Sequence, residues 1–135
     1  MKFTGFIFAL AIFITASLSV IHPSNACGEE LPPAVIKTIP ESGAKNVDPS
    51  VSEIRVTFDK EMMDQGWSWV QVAPENFPEL IGNPRYLDQR TCVVDVKLEA
   101  GKTYIIWLNT QKFRNFKDKD ARPAQPYLLI FETRK

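Results

Sequence analysis

Few side chains in this 135-residue chain have the chemistry to cut, transfer or hold a ligand. It has one histidine, His22, and two cysteines, Cys27 and Cys92. Histidine titrates near neutral pH, serves as the base in Ser-His-Asp and Cys-His systems, and is the commonest metal ligand. His22 lies in an N-terminal segment expected to be removed, so the mature chain is left without that machinery. Met62 and Met63 are thioethers that would suit copper(I), yet two adjacent methionines in a turn read as packing residues. Asp118 and Asp120 look faintly like calcium ligands. Calcium takes six to eight oxygens, and this stretch lacks the glycine and later glutamate of an EF-hand loop, so it reads as a solvated turn. Glu53, Asp59, Glu61 and Asp64 could supply a carboxylate pair, but nothing in the pattern supplies a cleft. No catalytic residue, metal or cofactor is expected.

The cysteines leave three readings open. In an exported chain an even count points to a disulfide, Cys27 to Cys92. Closing a loop of about 65 residues would stabilise by roughly 4 kcal/mol in the chain-entropy picture. Cys27 is also placed for lipid attachment after signal cleavage, although Ser24 stands where a lipoprotein signal prefers leucine. The third reading is two free thiols, one of them buried.

Export itself is read from the N-terminus. Lys2 precedes an uncharged apolar run, 6–21, which ends in His22-Pro23-Ser24-Asn25-Ala26. Ser24 and Ala26 are small residues at the minus-three and minus-one positions, so residues 1–26 read as a secretory signal cleaved before Cys27. The run is shorter than the ~20 residues that comfortably span a bilayer. A stem, 27–32, then leads into one domain, 33–135, of a size that buries a single core. The 16 basic and 16 acidic residues are interspersed, which excludes the clustered cations of a nucleic-acid surface. Membrane association is expected only if Cys27 is lipidated.

The elements that must position these residues are short runs of β-branched and aromatic residues between Pro, Gly, Asn and Asp clusters, a pattern of strands. Strands are expected at 34–39, 53–59, 66–73, 91–98, 102–110 and 127–133. Between 60 and 65 the pattern allows one helical turn. Pro74, Pro78 and Pro84 keep 74–84 out of any central strand and leave short edge pairing around Leu80-Ile81 and Arg85-Tyr86-Leu87. In 53–59 the apolar Ile54, Val56 and Phe58 alternate with polar neighbours, so one face is buried. Cys92, Val94, Val96 and Leu98 share one face of the next long strand. Residues 111–125 form a long polar loop carrying Phe113 and Phe116.

The stretch from Leu98 to Tyr104 has the spacing of a tyrosine corner. Gly101 lets the chain turn sharply, and the Tyr104 ring enters the core while its hydroxyl bonds to upstream backbone. The expected fold is therefore all-β, an Ig-like β-sandwich of about seven antiparallel strands.

From Pro33 onward the chain resembles the SbsA-type bacterial Ig-like domain. Four pieces carry the match: Ile39-Pro40-Glu41-Ser42-Gly43-Ala44 with Val47, the run from Ile54 to Met62, the corner from Leu98 to Tyr104, and Phe131-Glu132-Thr133. The resemblance implies a seven-stranded extracellular spacer or adhesive module with no catalytic residues. The periplasmic copper carriers of CopC type share the Pro-Glu-Ser-Gly-Ala start and the Thr-Phe-Asp-Lys strand. Their copper site uses histidines, including one at the mature N-terminus, where this chain has Cys27.

The corner also sets phase. With Tyr104 inward, Ile106 and Leu108 follow it, and Ile105 and Trp107 face out. By the family pattern Phe131 points in, leaving Leu128 and Ile130 outside. In the third strand the preferred reading puts Trp67 and Trp69 out and Val70 and Val72 in the core. The third, sixth and seventh strands are neighbours in an Ig sandwich, so Trp67, Trp69, Ile105, Trp107, Leu128 and Ile130 form a candidate apolar face. Either the face binds a partner, protein or carbohydrate at the cell envelope, or the 74–87 crossover or the 111–125 loop covers it. The expected function is an exported, non-catalytic module acting by surface binding or adhesion, in the periplasm, at the cell surface or outside the cell. The alternative is a structural component of an envelope assembly, docked through the same sheet or held by lipid at Cys27.

Overall fold

The computed structural model describes residues 30–135. The signal segment and the first half of the stem, 27–29 with Cys27, lie outside those residues. Seven strands succeed one another in chain order: β1 (Val35–Ile39), β2 (Glu53–Phe58), β3 (Trp69–Gln71), β4 (Glu79–Tyr86), β5 (Thr91–Lys97), β6 (Thr103–Leu108) and β7 (Tyr127–Glu132). They form two sheets, ordered β1-β2-β5-β4 and β3-β6-β7, with every strand pair antiparallel. This is an Ig-like sandwich of the seven-strand arrangement.

Period-two alternation builds the core. Ile54, Val56 and Phe58 of β2 are fully buried, and the register sets Ile54 beside Val94 and Val56 beside Cys92 of β5. The facing sheet contributes Tyr104, Ile106 and Leu108 from β6 with Leu129 and Phe131 from β7. Each such side chain withdrawn from water stabilises by roughly 1.5–3 kcal/mol before the entropy of ordering it is counted.

The corner has the geometry its spacing predicts. Gly101 sits at φ +68°, a region where a Cβ is strained. The Glu99 N–H donates to Tyr104 Oη at 2.8 Å, and the Tyr104 ring lies 5.4 Å from that of Phe131. Thr133 locks the corner to the end of β7: its hydroxyl donates to the Glu99 carbonyl at 2.6 Å and accepts from the Lys102 N–H at 2.9 Å.

Each sheet edge is managed differently. After a cis Ile39–Pro40 bond, the chain leaves the four-stranded sheet and runs along β7. There the Gly43 N–H donates to Ile130 O, and Val47 both donates to Glu132 O and accepts from the Arg134 N–H. The Pro-Glu-Ser-Gly-Ala stretch thus switches the first strand from one sheet to the other. Strand β4 is an edge strand, longer than the short pairing expected. Its register breaks between Ile81 and Arg85, at Gly82 (φ +71°) and Pro84, as befits proline on an edge.

Three local expectations are corrected. Residues 60–65 form no helical turn; Gln65 takes φ +63°. The third strand shrinks from 66–73 to β3, and a 3-10 turn comes next at Pro74–Asn76. The sixth strand stops at Leu108 because Asn109 adopts φ +60°, which ends the extended backbone.

Candidate binding face

On β6 and β7 the apolar face lies where phase predicts. Ile105 stands opposite Ile130, and Trp107 opposite Leu128. Both pairs lie on the side away from buried Tyr104, Ile106, Leu129 and Phe131. All four side chains are half-buried, since large neighbours across strands shield one another.

The third strand overturns the expected phase. Trp69 pairs with Leu108 and Val70 with Trp107, and directly opposed residues share a face, so Trp69 points inward and Val70 outward. The Trp69 ring meets Phe116 edge-on at 5.8 Å, Trp67 also packs against the core, and Val72 is 54% exposed. The reason is space: β3 is three residues long at the open side of the sandwich, and an indole fills the gap between sheets that Val70 would leave empty. The Trp69 indole N–H is buried without a hydrogen-bond partner. The three tryptophans therefore do not share one face. The outer face is Val70, Ile105, Trp107, Leu128 and Ile130. Val70 is the member that sequence reasoning missed, and Leu108 opposite Trp69 is the signal that would have found it once register was known.

Most of the expected cover lies elsewhere; of the 74–87 crossover the 3-10 turn stays against β6, where the Asn76 amide donates to Thr103 O at 3.0 Å. Residues 79–86 join the other sheet as β4. The 111–125 loop turns inward at Phe116, fully buried and 5.2 Å from Phe58. It is held by Asn109, a residue no motif singled out. The Asn109 amide donates to the carbonyls of Phe116 and Ala124 at 2.9 and 3.0 Å, and its oxygen accepts from the Phe116 N–H at 3.0 Å. Phe113 stays at the surface, 46% exposed.

The remaining candidates have structural partners. Asp118, expected in a solvated turn, is buried and organises its loop. It accepts from the backbone N–H groups of Asp120 and Arg122 and from Arg122 Nε at 2.9 Å. Burial raises its pKa, but those donors outweigh burial, and its carboxyl ends below the ordinary aspartate value. The same guanidinium reaches Glu30, whose pKa the Arg122 hydrogen bond lowers, so the loop ties down the incoming chain. Glu53 pairs with Arg55 and Arg85, Glu61 with Lys119, and Asp59 accepts from the Ala34 N–H. Met62 is buried, whereas Met63 is 42% exposed.

Cys92 is fully buried and has no disulfide partner among the described residues. Burial pushes its pKa up to about 12. Neither the disulfide nor the lipid reading of Cys27 falls within the described residues. The arrangement as a whole offers a flat apolar contact surface and no convergent acid–base or nucleophilic group among the described residues.

The sequence profile of the bacterial Ig-like domain family matches residues 29–133. The chain belongs to that family. This bacterial Ig-like domain is similar to surface layer protein SbsC, domains 1-6, with 18% identity over 78% of this chain and a TM-score of 0.51. It is also similar to the crystallised S-layer protein rSbsC(31-844), with 18% identity, the same coverage and a TM-score of 0.49. It spans 14% of the length of each of those chains. No curated protein matches it. At such identities the likeness is one of fold, and it bears out the sandwich that the corner and strand motifs implied; the family rests on the profile match.

Proposed function

We propose that this bacterial Ig-like domain is an exported, non-catalytic module that binds a protein partner at the cell envelope through the outer face of β3-β6-β7. One observation carries the reading: the cross-strand ladder of Val70, Trp107 and Leu128 beside Ile105 and Ile130. A solvated sheet face ordinarily carries alternating polar residues, and here two of the three outward rungs of β6 and β7 are apolar, Thr103 opposite Glu132 being the polar third. Docking removes that surface from water, a non-directional gain that a flat protein interface uses well. The similarity in fold to S-layer protein domains supports a place in the envelope. Several charged residues are engaged in surface pairs, Arg85 with Asp95, Lys119 with Glu61 and Arg134 with Asp48.

Replacing Trp107 with Ser tests the face. Capture of envelope proteins by the full chain is expected to fall about tenfold while the melting temperature moves by only a few degrees. Trp69→Ala, in the core, is expected to cost about 3–5 kcal/mol of stability. A Trp107 variant that unfolds as readily as the Trp69 variant, or that captures partners like the parent, overturns the reading.

A further inference from the structure

A groove lies where the two sheets end. Strands β3 and β4 are terminal in their sheets, and between them opens a groove of about 660 Å³, within the ordinary range of ligand sites. Its apolar walls include Trp67, Trp69 and Phe113, and its polar groups are the amides of Gln71, Asn83 and Asn115 with the Ser68 hydroxyl. No ionisable side chain lines it. The other hollows differ: the one beside the incoming chain carries Glu30, Arg114 and Arg122, and the one over the 118–122 turn is walled mostly by charged residues.

We infer that this groove binds a neutral oligosaccharide. A pyranose ring presents apolar C–H faces, which pack on aromatic rings, and an equatorial belt of hydroxyls, each both donor and acceptor. Primary amides offer both functions in return. A charged ligand would lose its hydration here with no opposite charge to compensate.

The edges argue against the other natural occupant, an extended peptide adding a strand. The Asn109 N–H donates to Ser68 O, so by alternation only Trp69 and Gln71 turn their backbone groups toward the groove. Ahead of them the edge is closed by Asn115. Its N–H donates to Ser68 Oγ at 3.0 Å, and its carbonyl comes so near Gly66 that a Cβ there would sit 2.6 Å away. The opposite edge is broken at Gly82 and Pro84. Neither side offers the evenly spaced ladder that strand addition needs.

Trp67 and Trp69 report on the site through intrinsic fluorescence. The full chain is titrated with cellohexaose, maltohexaose and chitohexaose, with a galacturonate hexamer as the charged counterpart and a six-residue Val-Thr peptide as the extended one. Saturable binding of at least one neutral sugar is expected, weakened about tenfold by Phe113→Ala and by Asn83→Ala. Both positions are exposed, so the variants are expected to fold. The groove shares Val70 with the outer face, so Ile130→Ser on β7, two strands from the groove, is the variant that leaves sugar binding unchanged and separates the two sites. The inference is overturned if no neutral sugar binds up to about 10 mM, if the galacturonate or peptide binds instead, or if the two groove variants bind like the parent.

Discussion

Tyr104 shows how one polar atom selects a geometry. Its hydroxyl satisfies the Glu99 N–H, and a buried donor left unpaired costs more than a paired one gains. Tyr104→Phe is expected to lose about 1–3 kcal/mol, read as a lower urea midpoint with an unchanged slope. Asp118 acts through charge. Its folded pKa lies below the ordinary 3.8, so its contribution is complete above that value and is lost as pH falls through the folded value. Asp118→Asn is expected to cost about 1.5–3 kcal/mol near neutrality. In urea titrations from about pH 7 to pH 2 the gap between parent and variant closes on the acid side; a gap that stays constant or widens contradicts this. Tyr104 is legible in the sequence because its motif is local. Asp118 reads there as solvated because its burial depends on pairing with Met62, far away in the chain.

At the scale of elements, the strands with clean alternation are legible, since β2, β6 and β7 each bury alternate residues on one face, and β5 departs from the pattern only at Val93, buried on the opposite face. β3 is not. Both of its faces carry apolar residues, so periodicity cannot orient it, and the register with Leu108 decides. The 111–125 loop has a polar composition, yet Asn109 and Phe116 make it a plug. Asn109→Ala removes three buried hydrogen bonds and forces alanine into φ +60°. The expected loss is about 2–4 kcal/mol. Amide exchange is expected to quicken first at Phe116 and Ala124; protection that falls evenly across all strands would mean that Asn109 is not the loop's local anchor.

Across the whole molecule, Cys92 reports on the sandwich as a unit. It lies on β5, which is flanked by β2 and β4, and faces the core, so only a global opening exposes it. Iodoacetamide at about pH 8 is expected to label native protein negligibly and unfolded protein fully without a reductant, because a buried thiol whose pKa is near 12 supplies almost no thiolate. Labelling that requires reductant would reveal a bridged Cys92. Fast native labelling would mean that the sheets part locally.

By itself the sequence determined the class, the strand order and the corner. These rest on alternation, turn chemistry and a glycine–tyrosine spacing, all of which act between near neighbours. Tertiary structure alone decided which tryptophans meet water, why Asp118 is buried, and that a charge-free groove opens between β3 and β4. Each depends on what the opposing sheet leaves unfilled, and an indole takes whichever side offers it contacts.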